Sequence, residues 1–250
     1  MKKLILLLLI PSLCFAGSIK VEDGGGNVAY DYIAPVSGAS MNTTDMTRGF
    51  EADSDPAGWA AETDTAGILS RYDSAQKHSG SYSMSVAGGV TTAAYIRYDM
   101  GATKAALSLA FWFYAPSCGS NDALTIYTVS VNTGSHGIRL YYQRDASGHY
   151  HFGLRGTTFV YGSVDVPTGA WYRVELDYAQ NATSTITIYN DGGAQVDTVS
   201  VTASDNASQY SYVGKLDTSA RTTWTTLYID DIGLDYTDAT SPLWEYTVAN

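Results

Sequence analysis

Positive charge is scarce in this chain. Against 25 Asp and Glu stand 14 Lys and Arg in 250 residues, a net charge of -11 with a sequence pI near 4.5. A protein that wraps a phosphate backbone or lies on an anionic membrane needs clustered positive charge, so nucleic acid is not an expected partner. Cysteine is almost missing as well. Cys14 falls in an N-terminal segment that reads as removable, which leaves Cys118 alone, excludes an intrachain disulfide and makes stability a matter of packing or a bound ion. The apolar run Leu4 to Leu13 is too short to span a bilayer comfortably, and no second run approaches the roughly 20 residues a membrane helix needs, so membrane insertion is not expected. No stretch holds a helical period over three turns. The Gly24-Gly25-Gly26 run lacks the Lys-Ser/Thr ending of a phosphate loop and reads as flexibility.

What the chain does have is aromatic residues, 12% of the total, and its 20 tyrosines outnumber Lys and Arg together. With charged residues at 16%, there is enough apolar surface for a folded domain. Residues 1–16 resemble an export signal: Lys2 and Lys3, the apolar run, then the small-x-small site Cys14-Phe15-Ala16. The mature chain is expected to begin at Gly17 with 12 cationic and 25 acidic residues, a net charge of -13, at the cell surface, outside the cell or in the periplasm. Bulky Leu13 argues against lipidation of Cys14. Residues 17–48 read as a polar, Gly-rich arm or linker, 49–238 as one domain and 239–250 as a tail.

Within 49–238 the pattern is one of alternation. Leu107, Leu109, Phe111 and Phe113 share one face of a strand, with Ser108, Ala110, Trp112 and Tyr114 on the other. Ile138, Leu140 and Tyr142 oppose Arg139, Tyr141 and Gln143. Tyr150, Phe152 and Leu154 oppose His149 and His151. Tyr172, Val174 and Leu176 oppose Trp171, Arg173, Glu175 and Asp177, and Ile186 and Ile188 oppose Thr185, Thr187 and Tyr189. Turn residues separate these segments at 145–148, 167–169 and 190–193. Many short strands at this spacing predict an all-β, antiparallel β-sandwich of the jelly-roll kind.

Three blocks resemble the concanavalin A-like lectin/glucanase superfamily, with its laminin-G-like and carbohydrate-binding jelly rolls. They are Gly49-Phe50-Glu51 and Gly58-Trp59 followed by His78-Ser79-Gly80-Ser81-Tyr82-Ser83-Met84; Gly169-Ala170-Trp171-Tyr172-Arg173-Val174-Glu175-Leu176 with the hairpin reaching Gly192; and Leu227-Tyr228-Ile229-Asp230-Asp231-Ile232. The resemblance covers about residues 49–235. It implies a superfold that hosts binding modules, hydrolases, lyases and structural domains, so function needs a site of its own.

The resemblance implies a structural Ca²⁺ between Glu51 and Asp230 or Asp231, with backbone oxygens near Lys77 to Ser79 completing the oxygen shell that hard Ca²⁺ requires. Adjacent aspartates on a strand point to opposite faces, so the two are not expected to face inward together. A polysaccharide or glycan is the expected partner. Trp112, Tyr114, Arg139, Tyr141, Gln143, His149, His151, Trp171, Arg173 and Glu175 join flat rings to hydrogen-bonding groups on strand faces turned away from the core, which is the mix that sugar rings and hydroxyls need. An ordinary solvated sheet carries the same pattern.

A polysaccharide lyase or glycoside hydrolase is the alternative, and a structural surface or particle protein with a protein partner is a third. Retaining hydrolysis needs two flanking carboxyls; the segment Glu175-Leu176-Asp177 lacks the second Glu of the Glu-x-Asp-x-Glu-like strand found in hydrolases of this fold. A lyase needs a Tyr or His base with a cation beside a uronate, roles open to His149, His151, Arg139 and Tyr141. No catalytic residue is assigned, and a non-catalytic binder is the expectation. His149 and His151 also share a face, as metal ligands would, with His136 or Asp145 available to complete a site; two ligands alone read as a solvated pair in a Gly-rich hairpin.

Overall fold

The computed structural model describes residues 18–22, 28–33, 50, 59–63, 68–119, 122–132, 135–206, 208–216 and 223–236. The export signal at 1–16, Glu51, Cys14 and the tail at 239–250 lie outside them. Strands β1 (Ser18–Glu22) and β2 (Val28–Ile33) pair antiparallel as a two-stranded sheet in a unit of their own, within the segment read as an arm.

The second unit is built from strands alone among the described residues. In chain order these are β3 (Trp59–Thr63), β4 (Leu69–Asp73), β5 (Ser83–Val86), β6 (Ala94–Lys104), β7 (Ala106–Tyr114), β8 (Ala123–Asn132) and β9 (Ser135–Arg144). They continue as β10 (Tyr150–Arg155), β11 (Phe159–Tyr161), β12 (Trp171–Ala179), β13 (Thr183–Asn190), β14 (Gln195–Thr202), β15 (Ser208–Lys215) and β16 (Leu227–Asp235). They form two seven-stranded antiparallel sheets. The first runs β11-β10-β9-β8-β15-β6-β3 and the second β14-β13-β12-β7-β16-β5-β4. Sequence-distant strands lie side by side at the centre of each, which is the jelly-roll sandwich that the alternation predicts.

The period of two decides which side chains meet. Leu107, Leu109, Phe111 and Phe113 of β7 are wholly buried and face Ile138, Leu140 and Tyr142 of β9, while Trp112 and Tyr114 remain on the outer face. Phe113 lies 5.3 Å from Tyr142 and 5.7 Å from Phe152, ring centre to ring centre, in edge-to-face contact.

Much of the tyrosine excess is core. Tyr127, Tyr142 and Tyr178 are fully buried, and each hydroxyl is matched: Tyr142 donates to the Val166 carbonyl at 3.0 Å, Tyr178 to that of Asn206 at 2.7 Å, and Tyr127 meets Ser211 Oγ at 3.1 Å. A phenol buries as much surface as phenylalanine provided its hydroxyl finds a partner. Burial raises the pKa of all three above the ordinary tyrosine value.

The turns form where the sequence places them. Gly193 closes the β13–β14 hairpin at φ 78, a left-handed conformation that glycine takes without strain, and donates to the Asn190 carbonyl at 2.9 Å. Cys118 is buried in the loop that follows β7, and no described helix is long and apolar enough to cross a membrane.

Candidate functional site

The ten residues expected to bind a glycan do not share one surface. Trp112, Tyr114, Trp171, Arg173 and Glu175 lie on the outer face of the second sheet. Arg139, Tyr141, Gln143 and His151 lie on the outer face of the first, with His149 at its margin.

On the second sheet the groups satisfy one another. The His78 ring stacks on Trp112 at 3.6 Å and 14°, and meets Trp171 edge-on at 5.8 Å; Trp171 is buried. Arg173 is buried over the Tyr189 ring at 4.4 Å. Its Nε is 3.0 Å from Glu175 Oε1, an ionic approach without hydrogen-bond alignment. Asp177 accepts from Ser108 Oγ at 2.8 Å. A sugar ring would first have to displace His78 from Trp112.

What holds His78 there is the pair Asp230–Asp231. Asp230 is fully buried; its Oδ2 accepts the backbone N–H groups of His78 at 3.0 Å and Ser79 at 3.2 Å, and its Oδ1 that of Asp231 at 2.9 Å. Burial, and then the neighbouring Asp231 carboxylate, raise the Asp230 pKa to about 7 against these hydrogen bonds. Asp231 sits in the left-handed region at φ 48, where the β16–β7 register slips, and turns back to the same segment: its Oδ1 accepts from Ser79 Oγ at 2.8 Å and its Oδ2 lies 2.9 Å from His78 Nδ1. The opposite-face rule for neighbouring strand residues therefore fails at this bulge. Residues 78 and 79 present N–H and O–H donors to both carboxylates. Glu51, the other expected calcium ligand, lies outside the described residues.

The outer face of the first sheet differs. Its register aligns Phe159, Arg155, Arg139, Thr128, Tyr212 and Arg97 in one row across β11, β10, β9, β8, β15 and β6. At about 4.8 Å per strand the row is about 24 Å long. Arg155 and Arg139 are directly opposed, and among the described residues neither has a carboxylate at ion-pair distance. Aromatic rings flank the row. Tyr95 and Tyr212 meet edge-on at 5.3 Å, Arg97 lies over Tyr210 at 4.7 Å, and Tyr141 meets Phe159 at 5.1 Å. Gly153 opens space beneath Phe159 and Tyr161, since a Cβ there would stand 2.7 Å from the Tyr161 ring.

Beside the two arginines lies His136, brought to this face by a register shift between Val129 and Ser130 of β8. The Thr128 hydroxyl donates to the Ile138 carbonyl at 2.8 Å, so its oxygen is the acceptor for His136 Nδ1 at 3.2 Å. That assigns the proton to Nδ1 and the lone pair to Nε2. Burial, then Arg139 and Arg155, lower the His136 pKa to about 4, keeping the ring neutral at pH 7.

Sequence reading placed Arg139, Tyr141, Gln143 and His151 on this face but missed Tyr95, Arg97, Arg155, Phe159, Tyr161, Tyr210 and Tyr212, and gave His136 only a passing metal role. The period-two runs Tyr95-Ile96-Arg97 and Tyr210-Ser211-Tyr212 carried a readable signal for four of them.

At one end of the face, the β9–β10 hairpin gathers Asp145, His149 and His151. Asp145 Oδ2 lies 3.5 Å from His151 Nε2 and 3.8 Å from His149 Nδ1.

No protein-family model matches the chain, and neither does any curated protein. Among solved structures it is similar to Cellulose induced protein, Cip1, at 17% identity over 77% of this chain and 97% of that one, with a TM-score of 0.53. It is also similar to a carbohydrate esterase of the Shiga toxin-encoding bacteriophage phi24B, at 16% identity over 77% and 99%, TM-score 0.51. A structure of botulinum neurotoxin type C, whose cell entry depends on two ganglioside molecules, matches at 13% identity, TM-score 0.51; the match covers 80% of this chain and 51% of the toxin chain. Identities this low show the fold alone. What these structures share with this chain is the antiparallel jelly-roll β-sandwich.

Proposed function

We propose that the protein is exported and binds an acidic polysaccharide along the outer face of the first sheet. The observation that carries this reading is the directly opposed pair Arg139 and Arg155, without a carboxylate partner among the described residues of a chain whose net charge is -11. Like charges directly opposite in a ladder are destabilising, and a bound anion removes the penalty. Tyr141 and Tyr210, half-buried, and the exposed Phe159 supply rings for the apolar faces of sugars. That Cip1, the phage esterase and the toxin share the fold is consistent with a glycan partner. Affinity electrophoresis through gels holding uronate-bearing, sulfated or neutral polysaccharides tests it: the acidic gels should retard the protein, Arg139→Gln and Arg155→Gln should each weaken retardation, and equal mobility in all gels would end the reading.

A lyase is the second reading, favoured by His136. A neutral imidazole with its lone pair on Nε2, beside two guanidiniums, suits removal of the proton α to a uronate carboxylate that the guanidiniums neutralise. The electrons form a C=C bond as the glycosidic C–O bond breaks, and solvent protonates the leaving oxygen. Ultraviolet absorbance from unsaturated sugar, lost in His136→Gln, would establish catalysis; its absence with retained binding leaves a binder.

A further inference from the structure

We propose that the β9–β10 hairpin binds one Zn²⁺ through Asp145 Oδ2, His149 Nδ1 and His151 Nε2, with the fourth position open to solvent beside the first sheet's outer face. This goes beyond the glycan reading and stands independently of it.

The hairpin geometry creates the set. Asp145 and His149 bracket the turn, where Asp145 N donates to the His149 carbonyl at 2.8 Å and His149 N donates to Asp145 Oδ1 at 2.8 Å. The second hydrogen bond holds one carboxylate oxygen and leaves Oδ2 on the side of the histidines. His151 follows two residues later on the outer face. One ligand atom from each of the three residues lies within 4.8 Å of the other two. A tetrahedral ion with bonds of about 2.0–2.2 Å holds its ligand atoms about 3.3–3.6 Å apart. The Asp145–His151 distance of 3.5 Å already meets that spacing, the Asp145–His149 distance of 3.8 Å nearly so, and His149 is exposed enough to close the rest by rotation.

Two further observations bear on a ligand. His151 Nδ1 lies 3.0 Å from the Val164 carbonyl, a group that only accepts, so Nδ1 carries a hydrogen and Nε2, 3.5 Å from Asp145 Oδ2, is the nitrogen left to bind a metal. A backbone carbonyl that fixes the remote nitrogen is the usual outer support of a metal-binding histidine. Gln143, paired with His151 across the ladder, has a buried Oε1 without a hydrogen-bond partner among the described residues. Two imidazoles and one carboxylate suit Zn²⁺ rather than Ca²⁺ or Mg²⁺, which take oxygen shells.

Calorimetric titration of the tag-free chain with Zn²⁺ tests the site. One equivalent should bind with micromolar or tighter affinity, and Co²⁺ in its place should give the strong visible bands of a tetrahedral ion. His149→Ala and His151→Ala should each weaken binding at least about tenfold. The exposed His149 makes its variant the safer of the two, an unchanged melting temperature showing that it is folded. His136→Gln should bind Zn²⁺ as the parent does. Absence of micromolar binding, or binding that survives both hairpin substitutions, would overturn the proposal.

Discussion

Arg139 and Arg155 are directly opposed across the β9–β10 ladder, and among the described residues neither has a carboxylate at ion-pair distance. Such a pair costs stability in the free protein, by about 0.2–1 kcal/mol. Arg155→Gln is therefore expected to hold or slightly raise the melting temperature while it weakens retention on an acidic polysaccharide. A variant that loses stability and keeps retention would assign the pair a structural role.

The two outer faces should respond differently to loss of a ring. Trp112 carries the His78 ring, so Trp112→Ala is expected to cost about 2 kcal/mol of stability and leave glycan retention unchanged. Tyr141→Ala should do the reverse. Parallel thermal melts and affinity electrophoresis separate these outcomes, and loss of retention in the Trp112 variant at unchanged stability would move the binding face to the second sheet.

His136 makes stability depend on pH. Its pKa falls from 6.5 to about 4 on folding, so between these values the unfolded chain binds a proton that the folded chain rejects. The stability contribution of the neutral ring is complete above pH 6.5 and is lost as pH falls from 6.5 toward 4. His136→Gln removes that loss. Its melting temperature should fall less than the parent's between pH 7 and pH 4.5, and parallel curves would place the titration elsewhere.

Asp230 should behave as an anchor for the turn at residues 78 and 79. Asp230→Ala strips the acceptor from three backbone N–H groups, at a cost on the order of 3 kcal/mol. Adding Ca²⁺ to chelator-treated protein is expected to leave the melting temperature where it was. A rise would assign calcium to this site.

The sandwich was legible because burial on one face writes a period of two, as at Leu107, Leu109, Phe111 and Phe113. The candidate site was legible only by strand. Alternation tells which residues share the face of one strand, not which strands are neighbours, and so Trp112 and Tyr141 were grouped although the core lies between them. His136 was hidden by the register shift that brings it to the outer face, and Asp231 by the bulge that turns it back toward His78. Sequence reading left His136 and Asp145 as alternative third partners of His149 and His151, since only the turn shows that Asp145 joins them.

Calorimetric titration of the parent chain and the Arg139→Gln/Arg155→Gln double variant with a uronate oligosaccharide, at low and raised salt, tests the central claim most directly. Binding by the parent that weakens with salt and is lost in the double variant is the predicted result. Equal binding by the two chains, or preference for a neutral oligosaccharide, would contradict it.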